Sequence, residues 1–311
     1  MVPRAADEIP PDLPRLEPRA RDTSKRDYGR VLVVGGAVGM AGAPALAGMA
    51  ALRSGAGLVE VVVPESVVAI AAGFDPCLMT HGLPADGDGG FAGAAAEAVV
   101  ARAGRADVVA VGPGLGRSPA AAALVARLWA DLTQPAVFDA DALWALSRID
   151  RPRLARHTGP RSLTPHAGEM LRFVDREGDP ARPAAPARPA LETAAAALAA
   201  EIAAIVVLKG PDTLVTDGRR HGHNASGNPG MATAGCGDVL TGVIAALLCQ
   251  PFAPARTAMY DIVRLAVWVH GRAGDVAATR VGEVSLVATD VVAGLPAAVS
   301  DAVAPRARPS G

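Results

Sequence analysis

Short runs of consecutive apolar residues alternate along the chain with longer alanine-rich stretches. Arg30–Gly35 (RVLVVG), Leu58–Val63 (LVEVVV), Asp107–Val111 (DVVAV), Ala136–Phe138 and Ala204–Leu208 (AIVVL) carry almost no polar interruption. That is the pattern of strands buried on both faces of a parallel sheet. Between and after them, Pro44–Ser54, Ala120–Asp131, Leu191–Ala203, Val239–Leu248 and Tyr260–Val276 read as helices, and Val215–Arg220 as half of a hairpin. Strand, glycine-rich turn and helix recur in that order, which predicts an α/β fold. The informative segments fall at the carboxyl ends of strands, where open α/β sheets hold their ligands. No internal repeat is visible, and no boundary calls for two domains. Four prolines before Leu16 suggest a flexible or wrapping N-terminal arm over residues 1–27. One catalytic domain is expected over 28–303, with an exposed Pro/Ala/Arg-rich loop at 176–190 and a tail at 304–311.

Composition narrows the partners. Half of the 311 residues are hydrophobic but only 3% are aromatic, so Val, Leu, Ile and Ala must build the core. The formal net charge is −1, and no dense Lys/Arg cluster interleaves with aromatics. Neither nucleic acid nor an anionic membrane is therefore expected as a partner. Cys77, Cys236 and Cys249 have neither CxxC spacing nor an even count, so a reducing cytoplasm is expected rather than a zinc site or a disulfide framework. The N-terminus lacks the basic-then-apolar order of a secretory signal, and no apolar run reaches the ~18–20 residues of a membrane span.

The segment richest in chemistry is Asn224–Leu240 (NASGNPGMATAGCGDVL), with four glycines, then Asp238, then an apolar helix. Glycines let backbone N–H groups converge, and a helix N-terminus adds partial positive charge. Together they suit a phosphoryl group in transfer. Asp238 stands where a carboxylate can accept a proton from an attacking hydroxyl, although Asp is also a favoured helix cap. The helix dipole predicts a lowered pKa and a weak base. Lys209-Gly210-Pro211-Asp212-Thr213 follows a buried strand and suits a nucleotide phosphate or ribose, or else simply closes the strand. In Thr164-Pro165-His166-Ala167-Gly168-Glu169, His166 and Glu169 share one side of a first helical turn. There Glu169 is a candidate Mg²⁺ ligand and His166 a substrate contact, unless Thr164 caps the helix and Glu169 is only a first-turn acid. Gly112–Gly116 and Gly35–Ala43 offer bare backbone to a ligand without the full dinucleotide-binding spacing. Asp139 and Asp141 fit metal binding or capping equally. His270 is expected as a core histidine, Cys236 as a packed small residue, and His81, His157, His221 and His223 as surface or loop residues.

Taken in order, GRVLVVGGAVGMAGAP, RSGAGLVEVVVPE, VGPGLG, DADAL, LTPHAGE, VVLKGPDT and GNPGMATAGCGDVLTGVIAALL resemble the ADP/ATP-dependent NAD(P)H-hydrate dehydratase family of the ribokinase-like superfamily, over roughly Tyr28–Ala297. The resemblance implies a three-layer α/β/α fold with a mainly parallel central sheet. It also implies dehydration of the S epimers of NADH hydrate and NADPH hydrate, with ADP or ATP as co-substrate, Mg²⁺ as cofactor, and AMP or ADP plus phosphate released. Carried over residue by residue, it makes Asp238 the catalytic base, with Gly235, Cys236 and Gly237 around the transferred phosphoryl group. Lys209, Gly210, Pro211, Asp212, Thr213 and Gly237 would contact the nucleotide, and Ala43, Gly114, Gly116, His166 and Asp238 the hydrate. Ala37, Cys236 and Trp144 depart from the residues usual in the family. Some 27 residues precede the first strand, so the hydrate epimerase often fused upstream is expected as a separate protein. A homo-oligomer, for which a tetramer is one option, is expected. The competing reading is a small-molecule kinase of the same superfamily, acting on a vitamin or sugar alcohol.

Overall fold

A computed structural model describes residues 8–174, 187–253 and 257–305. Its strands are β1 (Arg15–Leu16), β2 (Arg30–Val34), β3 (Leu58–Pro64), β4 (Met79–Leu83), β5 (Val108–Val111), β6 (Ala136–Phe138), β7 (Arg161–Leu163), β8 (Ile205–Leu208), β9 (Thr213–Thr216), β10 (His221–Asn224) and β11 (Phe252–Ala253). The helices are α1 (Gly42–Arg53), α2 (Val68–Ala72), α3 (Ala96–Ala103), α4 (Pro119–Asp131), α5 (Asp141–Leu146), α6 (Arg151–Leu154), α7 (Ala167–Val174), α8 (Arg188–Ile202), α9 (Cys236–Leu247), α10 (Met259–Val281) and α11 (Ala288–Ala302).

Nine strands form one sheet in the order β10-β9-β8-β7-β6-β5-β2-β3-β4. From β8 to β4 every pair is parallel, and β9 and β10 close one edge as an antiparallel hairpin. Because successive side chains leave a strand on opposite faces, the apolar runs feed two cores. Val31 and Val33 face a layer that includes α1, α9, α10 and α11, whereas Leu32 and Val34 face the layer that includes α3, α4 and α8. This is the mainly parallel α/β/α arrangement expected of the chain.

Several details differ from the sequence reading. β4, β7 and α11 were not expected. β4 reads MTHGL, without an apolar run, and β7 (RSL) is led by an arginine. Arg161 is nonetheless 1% exposed. Its guanidinium donates to the Trp129, Leu132, Gln134 and Pro160 carbonyls, and burial pulls its pKa down to about 10. His157, expected on the surface or in a loop, does lie in the loop before β7, half-buried, with its two ring nitrogens 2.7 Å from the Gly159 and 2.9 Å from the Ile202 carbonyl oxygen and edge-on to Trp129. The expected half-hairpin at 215–220 is β9 plus its turn.

The N-terminal arm wraps rather than hangs free from residue 8 onward. Ile9, Leu13 and Leu16 are buried, and β1 pairs with β11. The Ala304 N–H donates to the Leu16 carbonyl at 2.8 Å. Of the expected 176–190 loop, Arg188–Ala190 are helical, and 176–186 lie outside the described residues, as do 306–311 of the tail.

α9 is buried almost throughout and crosses α1 closely. A Cβ on Gly242 would lie 2.0 Å from the Ala47 carbonyl oxygen, so only glycine permits this approach. Gly242→Val is expected to lower unfolding free energy by roughly 3 kcal/mol, the upper range for overpacking. An unchanged urea midpoint would contradict so close a crossing.

Candidate active site

The site forms where α9 begins. Gly235 precedes the helix at φ +89, and a Cβ there would come within 2.8 Å of the Leu46 side chain. The left-handed turn starts the helix at Cys236, whose first amides have no preceding turn to pair with. They open toward a cavity of about 850 Å³ lined by Gly235, Cys236, Gly237 and Asp238. Gly237 keeps that space clear: a Cβ on it would lie 3.1 Å from the Lys209 Nζ. Asp238 reaches the cavity wall, and no donor among the described residues binds its carboxylate.

The surrounding charges explain the state of that carboxylate. Burial is the largest effect, and Asp139, Asp141 and Glu169 add repulsion that Lys209 only partly offsets, so the pKa rises to about 7. The expected lowering by the helix dipole is thereby overturned: loss of water and like charges outweigh a partial charge. Lys209 sits between acids, 2.9 Å from Asp139 Oδ1 and 3.7 Å from Glu169 Oε2. Burial opposes its charge, but Asp139 and Glu169 hold its pKa above the ordinary lysine value. The Thr241 hydroxyl on α9 donates to the second Asp139 oxygen at 2.8 Å. Between Asp139 and Asp141, Ala140 adopts φ +49, a conformation that strains a residue with a Cβ.

His166, Lys209, Gly210, Pro211 and Thr213 share the cavity wall with the start of α9. Asp212 does not. Its backbone carbonyl instead accepts from Arg188, which also binds the Leu208 and Lys209 carbonyls and so fixes the turn after β8. Ala43, Gly114 and Gly116 also lie outside the cavity wall. Gly114 and Gly116 belong to the loop after β5, and Ala43 to the first turn of α1, just beyond the loop after β2; the sheet order reverses between these two strands. These loops are tied together: Gly36 N–H donates to Pro113 O at 3.0 Å and Ala37 N–H to Gly114 O at 2.6 Å. Asp141 accepts from Gly116 N–H and Arg117, so it fastens this crevice instead of binding metal.

His166, not Thr164, caps α7: its Nδ1 accepts from Gly168 N–H at 3.0 Å, while Glu169 Oε2 accepts from His166 N–H at 2.9 Å. Glu169 is therefore engaged by the cap and by Lys209, and does not fit its expected role as a metal ligand. Among the described residues, no group of three His, Cys, Asp or Glu side chains is placed to hold a metal. Mg²⁺ favours phosphate oxygens with one or two carboxylates, so the described residues by themselves build no magnesium cage. Burial raises the Cys236 thiol to about 11, which keeps it a packed, protonated side chain. His270, whose pKa burial lowers to about 4, is neutral and donates Nε2–H to the Cys236 carbonyl at 2.9 Å. Sequence reasoning missed Arg188, Thr241 and the α10 residues that face the cavity. The available signal was Gly271 and Gly274 inside an otherwise helical pattern.

The profile of the family described as NAD(P)H-hydrate dehydratase matches residues 31–296. The bifunctional NAD(P)H-hydrate repair enzyme Nnr of Moorella thermoacetica is 42% identical over 91% of this chain, and that of Escherichia coli 34% identical over 89%. The matched regions are 51% and 48% of those proteins, so the chain spans about half the length of these relatives. The ADP/ATP-dependent NAD(P)H-hydrate dehydratase of Bacillus subtilis, co-crystallised with ATP/Mg²⁺, superposes with a TM-score of 0.73. That structure is 25% identical and covers 94% of this chain and 99% of its own. Hydroxyethylthiazole kinase from Pyrococcus horikoshii, 16% identical with a TM-score of 0.58 over 88% of this chain and 89% of its own, shares the fold.

The raised pKa of Asp238 makes stability depend on pH. Folding moves this group from its ordinary 3.8 to about 7, so the folded protein binds the proton more tightly than the unfolded chain. This contribution is complete below pH ~4 and is lost as pH rises through ~7. Asp238→Asn removes the dependence. Its stability relative to the wild type is expected to climb between these limits by on the order of 4 kcal/mol, at about 1.4 kcal/mol per pKa unit. A stability difference that stays constant from pH 4 to pH 8 would show that Asp238 titrates normally.

Proposed function

The chain belongs to the NAD(P)H-hydrate dehydratase family, and we propose that it dehydrates the hydrated, damaged forms of NADH and NADPH to restore the reduced cofactors. The observation that carries this reading is Asp238: an unpaired carboxylate with a pKa near 7, opening into the cavity at the start of α9. A general base serves best when its pKa lies near the working pH. Hydroxide is a poor leaving group, so the ring hydroxyl must first become a better one. In the finer form of the proposal, the hydroxyl oxygen of the S epimer attacks the terminal phosphorus of ADP or ATP, and its proton passes to Asp238. AMP or ADP leaves. The carbon–oxygen bond then breaks with phosphate taking the electron pair, driven by the ring nitrogen lone pair, and the adjacent ring carbon loses a proton to complete the double bond.

The chain's own groups support each requirement. Amides of Gly235, Cys236 and Gly237 meet charge on the transferred phosphoryl group, and the turn from Lys209 to Thr213 borders the nucleotide. His166 reaches the hydrate from the cavity wall, and the start of α1 at Ala43 with the loop bearing Gly114 and Gly116 forms the crevice for the rest of it. Mg²⁺ would enter with the nucleotide phosphates and neutralise their charge. A separate hydrate epimerase would supply the reactive epimer. We place the protein in the cytoplasm as a homo-oligomer. No helix among the described residues is long and apolar enough to cross a membrane.

Incubation with NADH hydrate and either ADP or ATP is expected to restore absorbance near ~340 nm, and Asp238→Ala to lower the rate by ~10²-fold or more. Because the basic form is required, kcat/KM should fall tenfold per unit of pH below about 7. A stable phosphorylated product, with no turnover of the hydrate, would instead identify a small-molecule kinase.

A further inference from the structure

The middle of α10 carries Gly271, Gly274 and Asp275 where the helix meets the loop that follows β10. Glycine inside a helix costs about 1 kcal/mol relative to alanine, so this pair calls for a physical reason. A Cβ on Gly271 would lie 2.5 Å from the Ser226 carbonyl oxygen, and one on Gly274 2.1 Å from the Met231 sulfur. The bare face lets the loop rest directly on the helix backbone.

Asp275, one turn beyond Gly271, then grips the loop with both carboxylate oxygens. Gly227 N–H donates to Oδ2 at 2.9 Å, and Asn228 Nδ2 donates to Oδ1 at 3.1 Å. Gly227 is held in the left-handed region at φ +106. Asn228 in turn accepts Gly230 N–H on its own Oδ1 at 3.0 Å, which caps the short turn Pro229–Met231. Gly227, Asn228, Pro229 and Met231 all line the cavity, whereas Asp275 itself does not.

We propose that Asp275 is a positioning residue for the adenine nucleotide: by clasping Gly227 and Asn228 it fixes the cavity wall that receives a nucleoside di- or triphosphate. The inference rests on the proposed function only in placing the nucleotide in this cavity. Of the residues assigned to the hydrate, Ala43, Gly114 and Gly116 lie outside that wall, and His166 and Asp238, which line it, share no hydrogen bond with the clasped loop, so the clasp acts first on the nucleotide.

Calorimetric titration of the full chain with ADP and with ATP, without hydrate, tests the clasp. Asp275→Ala is expected to weaken nucleotide binding about tenfold or more, as for loss of hydrogen bonds to a charged group. Asp275→Asn keeps one acceptor for Gly227 N–H and should fall between. Gly271→Ala displaces Ser226 while leaving Asp275 intact, and should weaken the nucleotide as well. Asn228→Ala supplies the same reading if Asp275→Ala does not fold. In turnover, the KM for nucleotide should rise while the KM for hydrate stays unchanged, a split that general loosening of the fold would not produce. Wild-type nucleotide affinity in Asp275→Ala, an equal rise in both KM values, or a wild type that binds neither nucleotide would overturn the proposal. A wild type that binds nucleotide but leaves the hydrate untouched would instead overturn the dehydratase reading, with the clasp still judged by the titration.

Discussion

Lys209 places one half-buried ammonium among Asp139, Glu169 and Asp238, and the character of the site follows from that imbalance. Asp139 takes the closest contact at 2.9 Å and Glu169 stands at 3.7 Å. Asp238, left without a hydrogen-bond donor among the described residues, feels the surplus negative charge at the half-buried wall of the cavity. Burial disfavours its ionised form first, and the neighbouring carboxylates add to the effect. The raised pKa thus arises from burial first and from crowding acids around too little positive charge second. The amides at the start of α9 then face whatever anion enters the cavity, and an incoming phosphate and the carboxylate compete for the same positive field.

The sheet delivers these groups because parallel strands end on one side. Asp139 follows β6, the His166–Glu169 cap follows β7, and Lys209 follows β8, so three adjacent strands each present one charged residue at the same edge. Thr241 couples this edge to α9 through Asp139. The strain at Ala140 fits the same demand. Its unusual φ lets Asp139 turn toward Lys209 while Asp141 reaches Gly116 and Arg117 in the neighbouring crevice. Strain of this kind persists only where surrounding contacts fix it, and here both flanking side chains are fixed.

Much of this was legible in the chain. Long apolar runs gave β2, β3, β5 and β8 to within a residue or two, because strands buried on both faces need no polar alternation. The same logic hid β4 and β7: MTHGL at the sheet edge and RSL around the buried Arg161 carry no such signal. The glycine run before Asp238 located the cavity, since converging amides require residues without a Cβ at Gly235 and Gly237. What the sequence misjudged was the environment. A helix start near Asp238 suggests a lowered pKa, and nothing local reveals that burial, joined by Asp139 and Glu169 from far away in the chain, reverses it. Glu169 likewise looked free for a metal until its pairing with the His166 cap and Lys209 became visible.

The two halves of the site are held in different ways, and that difference bears on how each can vary. Backbone hydrogen bonds between the loops after β2 and β5 fix the crevice carrying Gly114 and Gly116, and the Asp141 side chain adds a tie to Gly116 N–H and Arg117, so its shape depends mainly on glycine. The half at the start of α9 depends on long-range side-chain clasps: Arg188 ties the turn after β8 through three carbonyls, and Asp275 ties the loop before α9. A backbone-built crevice fails when a Cβ is added, while a clasped loop fails when a donor or acceptor is lost. Precise positioning of reacting groups requires a supporting shell whose own rotamers are locked. In this fold α8 and α10 supply that shell from opposite sides of the central sheet, and the start of α9 is where their constraints meet.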